Sequence, residues 1–168
     1  MCLFAAISMM ISKIISGGQT GVDQAALDVS IALGIPHGGW IPKGRKTENE
    51  ALPDKYRLKE RPTSSYAKRT EQNVIDSEGT LIISLGPLTG GSELTHKTAM
   101  LHDRPCLHID LGTLNTLQAV KAVRSWIVHH GIEILNIAGP RAGENPGIYD
   151  MTTKTLKAVL GKAEMRSF

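Results

Sequence analysis

Three glycine-rich segments contain the residues of this sequence that are best suited to binding chemistry. They read SGGQTGVD (16–23), GPLTGGSE (86–93) and GPRAGEN (139–145). Glycine lets a backbone turn sharply and approach a ligand closely, and the start of a helix presents free N–H groups and the positive end of its dipole. Segments of this kind favour an anion, above all a phosphate group.

The first segment matches neither of the two common phosphate-binding signatures. It lacks the G-x-G-x-x-G pattern, and it lacks the Lys-Ser/Thr end of a P-loop. The candidate ligand contacts in it are Gly17, Gly18, Gln19, Thr20 and Gly21. Asp23 falls in the first turn of the following helix, where a carboxylate either interacts with the helix dipole alone or binds a ribose hydroxyl or a ring N–H of the ligand.

Cations near the same segments provide further candidates. Lys43, Arg45 and Lys46 follow the second predicted strand, and they either reach the ligand or are ordinary solvated surface charges. Arg141 stands inside the third segment, two residues after Gly139, and a guanidinium group matches phosphate oxygens in pairs. In the second segment the candidates are Gly90, Gly91, Ser92 and Glu93.

Strand and helix patterns alternate along the chain. We predict strands at 11–16, 38–41, 80–85, 105–110 and 133–138. We predict helices at 22–33, at 63–77 with Thr63 or Ser64 as the cap, at 92–102 with Ser92 as the cap, at 114–130, and at 145–160 with Asn145 as the cap and Pro146 first in the helix. Residues 43–61 show no sustained period and predict a long exposed loop with a short strand near Leu58.

Continuous apolar strands alternating with helices predict an α/β fold. We expect a three-layer, Rossmann-like, doubly wound and mostly parallel sheet with helices on both faces. Ligands of such sheets bind outside the carboxyl ends of the strands. The three glycine-rich segments should therefore meet at one edge of the sheet.

Length and composition limit the possible domain organisation, partners and location of the protein. The 168 residues predict one domain at 11–168, after an N-terminal extension at 1–10 that is too short for a membrane span and lacks the basic start of a signal peptide. Only 4% of the residues are aromatic and the cations are scattered, so no nucleic-acid partner is expected. The two cysteines and six histidines show no ligand spacing, so we expect no metal site and a reducing, cytoplasmic location.

The sequence resembles the putative molybdenum carrier family, within a Rossmann-like superfamily that includes the lysine-decarboxylase-like phosphoribohydrolases and DNA-processing protein A. The matching stretches are 16–35, 38–60, 66–83, 88–95 and 136–148. The resemblance implies a Rossmann-like fold, a nucleotide-like ligand or molybdenum cofactor, and a homo-oligomer, either dimer or tetramer. It also draws attention to Tyr66, Arg69, Thr70 and Asn73 as site residues.

Two functions follow from these expectations. The first is a binding protein for a phosphorylated, nucleotide-like ligand, with a molybdenum cofactor carrier as one form of it. The second is a phosphoribohydrolase-like enzyme that cleaves the N-glycosidic bond of a nucleoside monophosphate, with Glu93 or Asp23 as the catalytic carboxylate. The phosphoribohydrolase branch carries Pro-Gly-Gly-x-Gly-Thr-x-x-Glu, whereas residues 88–93 here read LTGGSE. This departure favours binding over catalysis.

Overall fold

The computed structural model describes Ile7 and residues 10–162. Its strands are β1 (Lys13–Ile15), β2 (His37–Gly38), β3 (Trp40–Ile41), β4 (Lys59–Glu60), β5 (Gly79–Ser84), β6 (Cys106–Asp110) and β7 (Ile134–Ala138). Its helices are α1 (Val22–Leu33), α2 (Tyr66–Ile75), α3 (Gly90–Leu101), α4 (Thr116–His130) and α5 (Ile148–Leu160). In the part of the chain that the structure describes, no helix combines the length and the apolar character needed to cross a membrane.

Five strands form the main sheet in the order β2-β1-β7-β5-β6, with every pair parallel. Leu81 and Ile82 point to opposite faces of β5, and both are fully buried, so both faces of the sheet are covered. Helix α5 packs against both α1 and α4, and α2 packs against α3. This architecture confirms the predicted Rossmann-like α/β fold.

The main core is almost entirely aliphatic. Ile14, Leu81, Ile83 and Leu135 of the sheet are buried in one cluster with residues of α1, α4 and α5. Of residues 1–10, predicted as an extension, Ile7 and Met10 are described, and Ile7 is buried in this same cluster. The rest of the predicted extension lies outside the described residues.

The strand predicted at 38–41 is two strands. β2 pairs with β1 in the main sheet, whereas β3 pairs with β4 in a separate two-stranded sheet. Gly39 lies between them with φ of 134°, and a Cβ atom there would overlap the backbone of Ser16. Only glycine permits this approach, and it divides the predicted strand at that point.

The segment 43–61 is not simply the exposed loop that was predicted. Its Leu52, Tyr56 and Leu58 are buried against Leu27 of α1 and Ile41 of β3 in a second core. The segment also contains β4, which confirms the short strand expected near Leu58. The sequence prediction failed to detect this core because its apolar residues follow neither a helical nor a strand period.

Three helix starts differ from the predictions. α2 is capped by Ser65, whose Oγ accepts a hydrogen bond from the N–H of Lys68 at 3.3 Å, rather than by Thr63 or Ser64. α3 is preceded by Thr89, so Ser92 lies in its first turn. α5 begins after Gly147, which has φ of 89°, and not at 145–146. Residues 141–147 are therefore free to turn at the carboxyl edge of the sheet.

Candidate functional site

One cleft lies at the carboxyl ends of β1, β5 and β7, and all three glycine-rich segments contribute to it. It has a volume of about 90 Å³. Its lining comes from the segment after β1, from α2, from the start of α3 and from the segment after β7. The lining residues are Gln19, Asp23, Tyr66, Arg69, Thr70, Gly91, Ser92, Leu94, Thr95, Ala138, Gly139, Pro140, Arg141 and Glu144.

Asp23 is the buried acid of the cleft. It is 4% exposed, and its Oδ2 atom accepts a hydrogen bond from the N–H of Gln19 at 3.2 Å. Burial raises the pKa of this carboxyl group to about 6, although Arg69, the Gln19 N–H, the Ser16 hydroxyl and Arg141 all act to lower it. Loss of hydration therefore outweighs the nearby positive charge, and Asp23 can change its protonation state close to neutral pH.

Arg69 of α2 lies over the backbone of the first segment. Its Nη1 atom is 3.5 Å from Oδ2 of Asp23, and the two side chains are 14% and 6% exposed. A Cβ atom on Gly17 would overlap the Arg69 guanidinium group and would lie 2.9 Å from Asp23 Oδ2. Gly17 thus provides the space in which this ion pair forms.

The Arg69 guanidinium group is not fully used by the protein. Its Nε atom is buried and, among the described residues, has no hydrogen-bond partner. A buried donor without an acceptor is costly, roughly 1–3 kcal/mol in typical cases. Since Arg69 lines the cleft, an anion placed there could supply the missing acceptor.

Arg141 brings a second guanidinium group to the cleft from the segment after β7. Its Cζ atom is 5.7 Å from the ring centre of Tyr66, and the Cζ atom of Arg69 is 5.9 Å from the same centre. Contact with an aromatic ring stabilises a cation, so the Tyr66 ring helps two like charges to stay close together. The ring is still 41% exposed at the mouth of the cleft.

The first turn of α3 faces the cleft through Gly91 and Ser92. The carbonyl oxygen of Thr89 accepts hydrogen bonds from the N–H groups of Ser92 and Glu93 at 3.1 and 3.3 Å. The first N–H groups of a helix have no acceptor within the helix, and the dipole there is positive. A Cβ atom on Gly91 would meet nothing within 4 Å, so the backbone at this turn is open to a close approach.

Glu48 joins the first and third segments. Its N–H donates to Oε1 of Gln19 at 2.8 Å, and its carboxylate accepts hydrogen bonds from the Thr20 hydroxyl and from the N–H of Gly143 at 2.9 Å. The Thr20 oxygen accepts in turn from the N–H of Ala142 at 3.2 Å. No sequence pattern predicted this role of Glu48, because an acidic residue in an aperiodic segment is ordinarily a solvated charge.

Some of the predicted site residues line the cleft and others do not. Those that line it are Gln19, Asp23, Arg69, Thr70, Gly91, Ser92, Gly139 and Arg141. Those outside the lining are Gly17, Gly18, Thr20, Gly21, Lys43, Arg45, Asn73, Gly90 and Glu93. Gly17 and Thr20 nevertheless contact lining residues directly, as described above.

Three other residues outside the lining, Arg45, Asn73 and Glu93, have structural contacts of their own. The guanidinium group of Arg45 donates to backbone carbonyls at 52, 53, 56 and 58 and holds the 43–61 segment together. Asn73 bonds both backbone groups of Trp40, at 2.7 and 3.2 Å, and so fixes α2 to β3. Glu93 is exposed and forms an ion pair with Lys97 at 2.6 Å. Lys43 is exposed.

Several lining residues were not found from residue type and spacing. Tyr66, Arg69 and Thr70 were indicated only by the family resemblance, and Leu94, Thr95, Ala138, Pro140 and Glu144 were not among the predicted site residues. Thr95 stands three residues after Ser92 and therefore shares its helix face, which is a signal that could have found it. No three His, Cys, Asp or Glu side chains converge as a metal ion would require, within residues 10–162 and Ile7.

Comparison with known proteins gives the family. The model described as the circularly permutated YpsA SLOG family matches residues 14–160. The chain belongs to that family. A crystal structure from Syntrophus aciditrophicus SB, of a protein named putative molybdenum carrier protein, is 56% identical over 90% of this chain and 96% of that chain, with a TM-score of 0.89. No curated protein matched. These matches confirm the resemblance seen in the sequence of this SLOG-family protein.

The raised pKa of Asp23 predicts a pH-dependent difference in stability. Because its folded-state pKa lies above the ordinary 3.8, its favourable contribution is complete below pH 3.8 and is lost as the pH rises through about 6. Asp23→Asn should therefore gain stability over the wild type as the pH rises from about 4 to 7, by about 1–3 kcal/mol. Urea unfolding of both proteins across this range measures the gain, and a pH-independent difference would contradict it.

Proposed function

We propose that this protein reversibly binds a phosphorylated, nucleotide-like small molecule, with the phosphate group inside the cleft. The convergence of Arg69, Arg141 and the first turn of α3 on one small space is the observation that carries the proposal. Guanidinium groups form short, paired hydrogen bonds with phosphate oxygens. The two guanidinium groups and the helix N-terminus are set against the carboxylates of Asp23 and Glu144, and because Glu144 is exposed its charge is screened by water, so an anion is favoured.

The size of the cleft supports a ligand of which only one part lies inside it. Pockets that enclose whole ligands are roughly 300–1,000 Å³. The 90 Å³ here suits a group about as large as a phosphate. The rest of the ligand would extend through the mouth, where the exposed ring of Tyr66 offers a stacking surface.

The molybdenum cofactor is one ligand of this kind. It is a pterin that carries a phosphate, and it holds its metal through its own dithiolene group. The similar protein from Syntrophus aciditrophicus SB is named putative molybdenum carrier protein. The cleft fits such a cargo at its phosphate end, through Arg69 and Arg141, with the pterin against Tyr66.

The positions of the two candidate carboxylates support binding rather than cleavage. The enzymatic alternative uses Glu93 or Asp23 at the sugar carbon. Glu93 is outside the cleft lining and paired with Lys97, while Asp23 is buried beside Arg69. Neither Glu93 nor Asp23 is therefore an exposed carboxylate inside the cleft, where it would have to lie to act on a bound sugar.

Arg141→Ala should weaken phosphate-ligand binding by about 1.5–3 kcal/mol, the scale of a charge-assisted hydrogen bond. Isothermal calorimetry with a nucleoside monophosphate measures the loss. Arg57→Ala is the matched control, because Arg57 lines grooves beside His37 and not the cleft, and it should leave the affinity unchanged. Equal affinities for the wild type and Arg141→Ala would refute the assigned role.

Gly91→Ala should separate binding from folding. The new methyl group meets no protein atom within 4 Å, and alanine restricts the unfolded chain, so stability should rise by about 0.4–1 kcal/mol. The same methyl group would occupy the space next to the first turn of α3 and should weaken ligand binding. Thermal unfolding and calorimetry on one preparation test both effects. Unchanged binding would place the phosphate elsewhere.

Incubation with AMP, CMP and related nucleotides separates the two functions. A binding protein should return each nucleotide intact, because no bond is broken while the ligand is held. Chromatography of the reaction mixture measures release of the free base. Base release that depends on Asp23 or Glu93 would overturn the binding proposal in favour of the phosphoribohydrolase alternative.

A further inference from the structure

We propose that Asp23 makes the cleft selective for tetrahedral oxyanions that still carry a proton near neutral pH, as hydrogen phosphate does, over permanently ionised ones such as sulfate and molybdate. This inference rests on the proposed function, because it assumes that the cleft binds an anion. It adds the chemical class that the site accepts and the residue that decides it.

The geometry places an acid in an anion site. Asp23 lines the same cleft as Arg69 and Arg141, and it is 4% exposed, so water cannot screen its charge from a bound anion. The Arg69 contact of 3.5 Å is longer than a good charge-assisted hydrogen bond. The charge of Arg69 therefore offsets that of Asp23, while its guanidinium group keeps hydrogen-bonding capacity for an anion.

The charged groups around Asp23 come from each element that borders the cleft. α2 supplies Arg69, and the segment after β7 supplies Arg141 and Glu144. α3 contributes Gly91, Ser92, Leu94 and Thr95, none of them ionised, since its Glu93 is exposed and paired with Lys97. Within this lining, the acids that oppose a bound anion are Asp23, which is buried, and Glu144.

A proton resolves the conflict between Asp23 and a bound anion. If one proton lies between a carboxylate oxygen and an anion oxygen, repulsion becomes a short hydrogen bond. Inorganic phosphate still carries at least one proton near neutral pH, so it can supply that proton while Asp23 stays ionised. A phosphate monoester loses its second proton at about pH 6 and can share one with Asp23 only near or below that pH. Sulfate and molybdate have no such proton to share, and for them Asp23 itself must be protonated first.

Titration with inorganic phosphate and with sulfate tests the selectivity on the unmodified protein. At about pH 7.5, some 1.5 units above the pKa of Asp23, protonating the carboxyl group costs about thirtyfold in affinity. Phosphate should therefore bind at least about tenfold more tightly than sulfate, and molybdate should behave like sulfate. At about pH 5.5 the preference should fall to within about threefold. Amide chemical shifts of Gly91 and Gly139 report both affinities.

Asp23→Asn supplies the second arm of the test. Asparagine keeps an oxygen that can accept from the Gln19 N–H, but it carries no charge, so sulfate affinity at the higher pH should rise about tenfold and the preference should vanish. Arg141→Ala is the control, and it should weaken both anions by a similar factor.

The possible outcomes distinguish this inference from the proposed function. Phosphate and sulfate affinities within twofold of each other in the wild type at the higher pH would overturn the selectivity while leaving the anion site in place. A preference that persists in Asp23→Asn would overturn it as well. If neither anion shifts the cleft amides, the selectivity and the proposed phosphate site fail together.

Discussion

A carboxylate that is almost removed from water requires a positive partner, and in this protein that requirement connects the first glycine-rich segment to α2. Asp23 lies at the start of α1, and Arg69 reaches it across the backbone at Gly17. The arginine can do so because Asn73, four residues later on the same helix, bonds both backbone groups of Trp40 and fixes α2 to β3. The shape of the cleft therefore depends on this one ion pair.

This ion pair does not contribute the stability that an ideal buried pair would, and its properties suit a binding site better. Burial raises the pKa of Asp23 more than Arg69 and Arg141 lower it, so the charged acid is destabilising for the folded chain at neutral pH. The buried Nε atom of Arg69 adds a second unsatisfied group at the same place. Local costs of this kind are typical of sites whose interactions are completed by a ligand.

Some features could be predicted from the sequence because single residues determine them. The long strands are mostly apolar runs followed within two residues by a glycine, so β5, β6 and β7 were found almost to their ends, together with the edge at which their loops meet. Where a residue's role depends on the direction of a long side chain, prediction failed. Arg45 folds back onto its own segment and Glu93 pairs with Lys97, and neither residue type nor position reveals this.

The contacts of Glu48 determine which groups of the cleft are left for the proposed anion. Its carboxylate accepts hydrogen bonds from the Thr20 hydroxyl and the Gly143 N–H, which belong to the first and third glycine-rich segments. Because an anionic side chain of the protein itself satisfies these donors, they are not available to a ligand while Glu48 remains in place. In the proposed function, capture of a phosphate would therefore depend on the two arginines and on the first turn of α3. The neutral polar donors of the first segment act instead to hold that segment to the loop that carries Arg141.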